Sequence, residues 1–554
     1  MRAVIVGGVA GGMSSATRLR RLDADIEIVV LERSGHVSYA NCGLPYYVGG
    51  IIEDEADLLL QTPESLHDRF RLDVRIGSDV TAIRPSAKVV EVTDLQSGTT
   101  YTLAYDKLVL SPGASPVIPP IPGIERTYPL RTVEDVERMT KVVASHPNSA
   151  VIIGGGFIGL EISENLRHRG IATTIVEAAL QVLAPLDPEM AQLVSEELER
   201  HGVEVILGSS IVAITEHDVE LADGRRVPSD VVIVAIGVRP DIHLAREAGL
   251  TIGPRGGITV DGFNRTSDSS IYAIGDAAEK TDALDGSATL VPLANIANRQ
   301  GRVVADHIAG RDVRVIPTIG TAIVKVFDLV VASTGWNEKR LREAGRAVAM
   351  VHAHPGSHAG YYPGAEQMAL KLIFDPSTGE ILGAQGVGGD GVDKRIDVLA
   401  TAIRGSITAP ELADLELAYA PPFGSAKDPV NMLGYMAENV LSGLCKPIQW
   451  SEVAAFQDLG YELIDVRMKD EFERGHIPSA RNLPLDEIRE RADELATKHL
   501  IVTCQVGIRG HTATLLLGEL GFDVKNLDGG YQTWVHSPVA QEIVHGALAS
   551  TRRG

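Results

Sequence analysis

The sequence predicts an α/β protein assembled from parallel βαβ units, and three observations predict it. Short β-branched runs pass into glycine clusters and then into helical stretches, an order that recurs along the first half of the chain. Two of these units, "AVIVGGVAGGMSSATRLRRL" and "AVIIGGGFIGLEISENLRHRG", are each followed by a second apolar strand ending in an acid. After "NVLSGLCKPIQW" the alternation starts again with "YELIDVRMKDEFERGHIPSARNLPL".

The 554 residues suffice for three or four domains, each with its own core. No apolar run reaches membrane-spanning length, and "MRAVIVGG" enters a strand directly, so a soluble, cytoplasmic protein with no membrane partner is expected. A formal net charge of -22 argues against a nucleic-acid partner while leaving room for an anionic small molecule at a local basic cluster. Cys42, Cys445 and Cys504 are far apart in sequence, which argues against a disulfide scaffold and leaves each as packing filler or a reactive centre.

The second unit carries a full GxGxxG in Gly154, Gly156 and Gly159, and its next strand "TTIVE" ends in Glu177. Glycines let the pyrophosphate approach the N–H groups at the helix start, where the dipole favours anions. The terminal acid accepts hydrogen bonds from ribose hydroxyls, which favours NADH over NADPH. The first unit is less regular, with Gly7 and Gly12 in place, Val9 at the middle glycine position, and Glu32 ending "IEIVVLE". A third signal, "SIYAIGDAAE", is a short apolar strand ending in Gly275 and Asp276, an acid placed to bind a flavin's ribityl chain.

This order of motifs resembles the FAD-dependent pyridine nucleotide-disulfide oxidoreductases, over roughly the first four-fifths of the chain. The resemblance implies two Rossmann-like nucleotide-binding domains and an α+β dimerisation domain, with FAD and NADH (or NADPH) as cofactors and no metal. The FAD domain is expected at residues 1–112 and 250–318, the NAD(P)H domain at 113–249 and the dimerisation domain at 319–442. "LVLSPGA" and "VVIVAIGVRP" look like the crossings between the nucleotide domains, and "TAIVKVFDLVVASTGW" like the first dimerisation strands. Carried over by position, the cofactor set is Gly7, Gly8, Ala10, Gly11, Gly12, Glu32, Arg33, Gly154, Gly156, Gly159, Glu177, Gly237, Gly275, Asp276, Pro292 and Ala294.

Cys42 selects a branch. The larger branch pairs two cysteines and uses a C-terminal His-Glu acid/base, and neither is here. "SYANCGLPYY" is similar to the motif of the coenzyme A-disulfide reductases, with Ser38, Asn41 and Cys42 in register and Tyr39 in place of Phe. A lone thiol stores two electrons only by forming a mixed disulfide with a small thiol, so Cys42 is expected to attack CoA disulfide, CoA persulfide or polysulfide as a thiolate of lowered pKa. The resemblance implies CoA contacts at Arg18, Arg21, Asn298 and Arg299, with solvated surface arginines as the plain alternative. It also implies that Tyr361, or its neighbour Tyr362, and Tyr419 reach the active-site sulfur of the other subunit of a homodimer and replace the missing acid/base, with packing tyrosines as the alternative. The peroxidase branch has a His where this chain has Ala10, which demotes peroxide reduction.

The last hundred residues resemble a rhodanese domain, expected over 451–554 after a linker at 443–450. "LIDVR", "GHIPSA", "IVTCQVGIRGHTA" and "NLDGGYQTW" carry the likeness. Cys504 stands in a loop whose N–H groups converge on sulfur, and Arg509 closes it after four residues, a ring suited to sulfane sulfur. Cys445 has no matching role. The expectation is an NADH-dependent reductase of CoA disulfide, CoA persulfide or polysulfide, coupled to a sulfurtransferase domain. An NADH oxidase and a sulfur-carrier or sensor protein are the alternatives.

Overall fold

The computed structural model describes residues 1–543; the end of the expected rhodanese span, 544–554, lies outside them. The chain divides into two units, residues 1–178 with 202–319, and residues 179–201 with the chain from 320 onward.

In the first unit, Arg2–Val6 lies at the centre of a parallel sheet ordered Ile271–Ala273, Lys107–Leu110, Arg2–Val6, Glu27–Leu31, Asp73–Arg75. Its three central strands are built mainly of buried Val, Ile and Leu because both faces are covered. A second parallel sheet runs Val203–Ile206, Ala172–Val176, Ser149–Ile153, Val231–Val234, Thr127–Pro129. The crossing segments expected at "LVLSPGA" and "VVIVAIGVRP" meet as an antiparallel pair, Ala114–Pro116 with Val238–Pro240. In each nucleotide sheet the first glycine turn opens a helix, Ala10–Leu22 and Phe157–His168, with no side chain capping its N-terminus. The third glycine of each turn is demanded by close approach: a Cβ on Gly12 would lie 1.9 Å from Gly7 O, and one on Gly159 2.0 Å from Gly154 O.

In the second unit, an antiparallel sheet runs Ala322–Val326, Leu329–Gly335, Ile381–Gly388, Met368–Phe374, Ala349–Ala353. The helices Val392–Arg404 and Pro429–Leu441 share an apolar core with it. A parallel sheet follows, ordered Pro447–Ile448, Asp523–Leu527, His499–Thr503, Glu462–Asp465, Arg481–Asn482. Pro447–Ile448, inside the span read as a linker, is thus an edge strand of that sheet. Among the described residues no helix is long and apolar enough to cross a membrane.

Candidate active site

Glycine turns, acids and the Cys42 segment converge in the first unit. Glu32, at the end of its strand, accepts from Gly8 N at 2.7 Å and from Ser34 N at 2.9 Å. Ser38, held at φ 49°, donates its N–H to Gly8 O at 2.8 Å and so ties the Cys42 segment to the first glycine turn. Cys42 occupies the one-turn helix Asn41–Gly43 and is exposed. Next to it, Asn41 Oδ1 is buried with no partner among the protein atoms.

The surrounding residues raise the Cys42 pKa rather than lowering it as the sequence reading expects. Removal of water around it raises the pKa first, the Glu161 carboxylate adds to that, and Arg131 opposes it only in part. Glu161, in the helix Phe157–His168, is itself pushed up to about 7 by burial and by neighbouring Glu164, while the Tyr46 hydroxyl 3.4 Å away favours its ionised form. Asp276 accepts from the Arg131 guanidinium at 2.9 Å, Gly275 N donates to Gln300 Oε1 at 3.0 Å, and Lys280, lowered to about 8 by burial, donates to Gly275 O at 2.5 Å and Ala278 O at 2.9 Å. Arg131, Tyr46, Glu161 and Lys280 were not read from the sequence, since none sits in a patterned spacing with Cys42.

The residues present fit both dinucleotides. Each glycine turn leaves the N–H groups at its helix start without a side-chain cap. In the second, Gly155 N donates to Glu177 Oε2 at 2.7 Å, and a Cβ on Gly156 would meet nothing within 4 Å, so space lies open there. Arg33, Pro292, Ala294, Asn298 and Arg299 are exposed, and Gly237 has open space beside it. Ser14 donates to Asn298 Oδ1 at 2.9 Å. The two arginines expected to share a basic face are turned to different neighbours: Arg18 binds Asp306 at 2.7 Å and Arg21 lies over the Phe70 ring at 5.1 Å.

In the second unit the tyrosine alternatives separate. Tyr361 and Tyr419 share a 2.9 Å hydroxyl hydrogen bond on the surface, whereas Tyr362 packs edge-on against His358. That bond raises the Tyr361 pKa.

Cys504 is buried at the end of the strand His499–Thr503, and Gly507 N donates to its sulfur at 3.2 Å. Arg509, on the helix Ile508–Glu519, is gripped by Glu471 in two bonds of 2.7 Å, and this holds the Glu471 carboxyl down to about 2. Arg467 of "LIDVR" braces the same loop from behind, with Asp465 at 2.8 Å, Gln505 Oε1 at 2.9 Å and the Tyr531 ring beneath it at 4.5 Å. Cys445 is buried, and burial followed by Asp528 pushes its thiol up to about 11.

The pyridine nucleotide-disulphide oxidoreductase family matches residues 1–301, its dimerisation domain residues 321–429, and the rhodanese-like domain residues 451–537. A coenzyme A disulfide reductase of Staphylococcus aureus (strain bovine RF122 / ET3-1) is 35% identical over 441 residues, 79% of this chain and all of that one. The crystal structure of reduced Bacillus anthracis CoADR-RHD is 47% identical with a TM-score of 0.95, covering 97% of this chain and 98% of that one. A NAD-dependent persulfide reductase from A. fulgidus is 39% identical with a TM-score of 0.91, covering 96% and 100%. The chain therefore belongs to the pyridine nucleotide-disulphide oxidoreductases, in their coenzyme A disulfide reductase branch, as an FAD- and NAD(H)-dependent oxidoreductase that also carries a rhodanese-like domain.

Proposed function

We propose that the protein reduces CoA disulfide, CoA persulfide or polysulfide with NADH through Cys42, and that Cys504 handles the sulfane sulfur that feeds this reaction. One observation carries the reading: Cys42 is exposed beside the glycine-turn segment, and the other two cysteines, Cys445 and Cys504, belong to the second unit. With no resolving cysteine in its own unit, the Cys42 thiolate attacks a sulfur of the substrate's disulfide or persulfide bond instead. Cys42 attacks CoA–S–S–CoA, forming Cys42–S–S–CoA and releasing CoA thiolate. The Gly7–Gly12 turn, Glu32 and Asp276 would hold FAD, which when bound would supply two-electron transfer from the nicotinamide to sulfur. The sum is NADH + H⁺ + CoA disulfide giving NAD⁺ and two CoA thiols; with CoA persulfide the products are NAD⁺, CoA thiol and H₂S.

Asn41, with its unpartnered buried acceptor, and the exposed Arg299 and Asn298 support CoA binding in the first unit. Glu177, already accepting from the second glycine turn, supports NADH over NADPH. The homodimer reading rests on the dimerisation domain, and the exposed Tyr361–Tyr419 pair is its proton donor to the leaving CoA thiolate of the partner. At Cys504 the thiolate takes the outer sulfur of a donor, leaving Cys504–S–S⁻, and passes it to an acceptor thiol as a persulfide. Gly507 N and Arg509 support that anion.

Anaerobic single-turnover reduction with each acceptor tests the assignment. Cys42→Ser is expected to abolish turnover with every CoA substrate, while Cys504→Ser affects only reactions that need sulfane transfer. Undiminished NADH-dependent CoA disulfide reduction by Cys42→Ser would overturn it, and NADH consumption only with oxygen present would make the protein an oxidase.

A further inference from the structure

The second unit contains a buried charge cluster that the proposed chemistry does not use, and it ends against the Cys504 loop. His352 lies on the edge strand Ala349–Ala353 of the antiparallel sheet, and its side chain is 2% exposed. Its Nδ1 is 2.7 Å from Asp528 Oδ2 and its Nε2 is 3.0 Å from Glu189 Oε1. Its backbone N–H also donates to both Asp528 oxygens, at 3.1 and 3.0 Å. A neutral imidazole has one N–H and would turn a bare nitrogen lone pair toward one of these two carboxylates, so both ring contacts are hydrogen bonds only in the doubly protonated ring.

The surroundings agree in sign. Lys371 faces Glu189, Glu338 and Asp187 at 2.6, 2.8 and 2.9 Å, and Arg342 reaches Glu338 at 2.6 Å. Gln449 donates to Asp528 at 3.3 Å, the Cys445 thiol lies near the same carboxylate, and His354 is kept neutral by burial and then by the charge on His352. Asp187, Glu189 and Glu338 thus face Lys371 and Arg342, and His352 is a third cation between Glu189 and Asp528. Burial works against charge on His352, but Asp528 and then Glu189 outweigh it and raise its pKa to about 9.

Asp528 opens the turn on which the Cys504 loop hangs. Gly529 and Gly530 follow it at φ 65° and 63°. A Cβ on Gly529 would sit 2.9 Å from His352 Cβ, and one on Gly530 2.4 Å from Cys504 O and 2.9 Å from Gly507 N. Tyr531 N donates to Cys504 O at 2.7 Å and Gln532 N to Gln505 O at 2.9 Å. The two bare glycines therefore lie against His352 on one side and against the sulfur loop on the other.

We propose that His352 is a positioning residue for sulfur transfer at Cys504: its imidazolium, clamped between Glu189 and Asp528, holds the Asp528–Gly530 turn that presents the Cys504 loop, so that transfer depends on the proton at His352. The inference rests on the sulfurtransferase reading of Cys504. A cationic group of raised pKa contributes in full below its ordinary value and is lost as pH rises through the folded one, so transfer falls on an alkaline limb near pH 9.

Sulfur transfer from thiosulfate to cyanide, measured on the full-length FAD-loaded protein between about pH 6 and about pH 10, tests it. Wild type is expected to show the limb. His352→Gln is expected to lose about tenfold in rate at neutral pH and to show no limb, with NADH-driven CoA disulfide reduction unchanged. Glu189→Gln, which removes one carboxylate from the ring, is expected to move the limb about one unit to lower pH, and it carries the test where His352→Gln fails to fold. A limb unchanged in both variants overturns the inference and leaves the sulfurtransferase reading standing. A wild type that transfers no sulfur at any pH overturns that reading, and the inference with it.

Discussion

Cys42 is governed by groups that lie far from it in the chain. Loss of water and the Glu161 carboxylate raise its pKa, and the Arg131 guanidinium lowers it in part. Glu161 titrates near 7, so its opposition to the thiolate grows as pH rises through neutrality. Glu161→Gln removes that negative charge and should lower the Cys42 pKa. Iodoacetamide labelling of Cys42 at about pH 7.5, followed by peptide mass spectrometry to separate it from Cys445 and Cys504, is expected to speed up severalfold. An unchanged rate would show that burial alone holds the thiol. Arg509 is the contrasting case: Glu471 fixes its guanidinium in a two-bond fork, so the cation at the Cys504 loop is placed before any substrate arrives.

At the scale of elements, each nucleotide turn works because a helix start is brought against a strand end with no side chain between them. Gly12 is the tightest point of the first turn, with a Cβ there 1.9 Å from Gly7 O. Gly12→Ala is expected to push the helix Ala10–Leu22 away from the turn, so that the protein purifies with much less flavin, read from its absorbance near 450 nm as roughly a tenfold loss of occupancy. The three-dimensional demand falls on Gly7 and Gly12, whereas the middle position tolerates Val9, which serves as the N-cap residue of that helix without a side-chain cap. This is why the first motif departs from the regular GxGxxG and still opens a helix whose N-terminus has no side-chain cap.

At the scale of the whole molecule, each unit has its own cores, and in the second unit ionic contacts join segments that are distant in sequence. Lys371 is fully buried among Asp187, Glu189 and Glu338, which come from residues 179–201 and from the helix Glu338–Glu343. Removing one member of such a cluster strands buried charge of the other sign. Lys371→Met is expected to cost about 3–5 kcal/mol. All three tryptophans, Trp336, Trp450 and Trp534, belong to this unit, so the loss is read as a lower urea midpoint by tryptophan fluorescence. An unchanged midpoint would mean that the cluster adds nothing to the unit's stability.

By itself the sequence determined the α/β class, the two glycine turns with Glu32 and Glu177 after their second strands, and the cysteine-bearing segments around Cys42 and Cys504. These are local matters: hydrophobic period, turn chemistry and the chain distance between a glycine and the acid that follows it are written along the chain. The tertiary structure alone decided that Glu161 and Arg131 face the Cys42 thiol, that Tyr361 rather than Tyr362 meets Tyr419, and that the arginines at 18 and 21 part company, one to Asp306 and one to Phe70. It also decided that His352 stands behind the Cys504 loop, 176 residues from the Asp528 it binds. A charge acts over a few ångströms of space whatever the chain separation, so partners of this kind leave no spacing for a sequence to display.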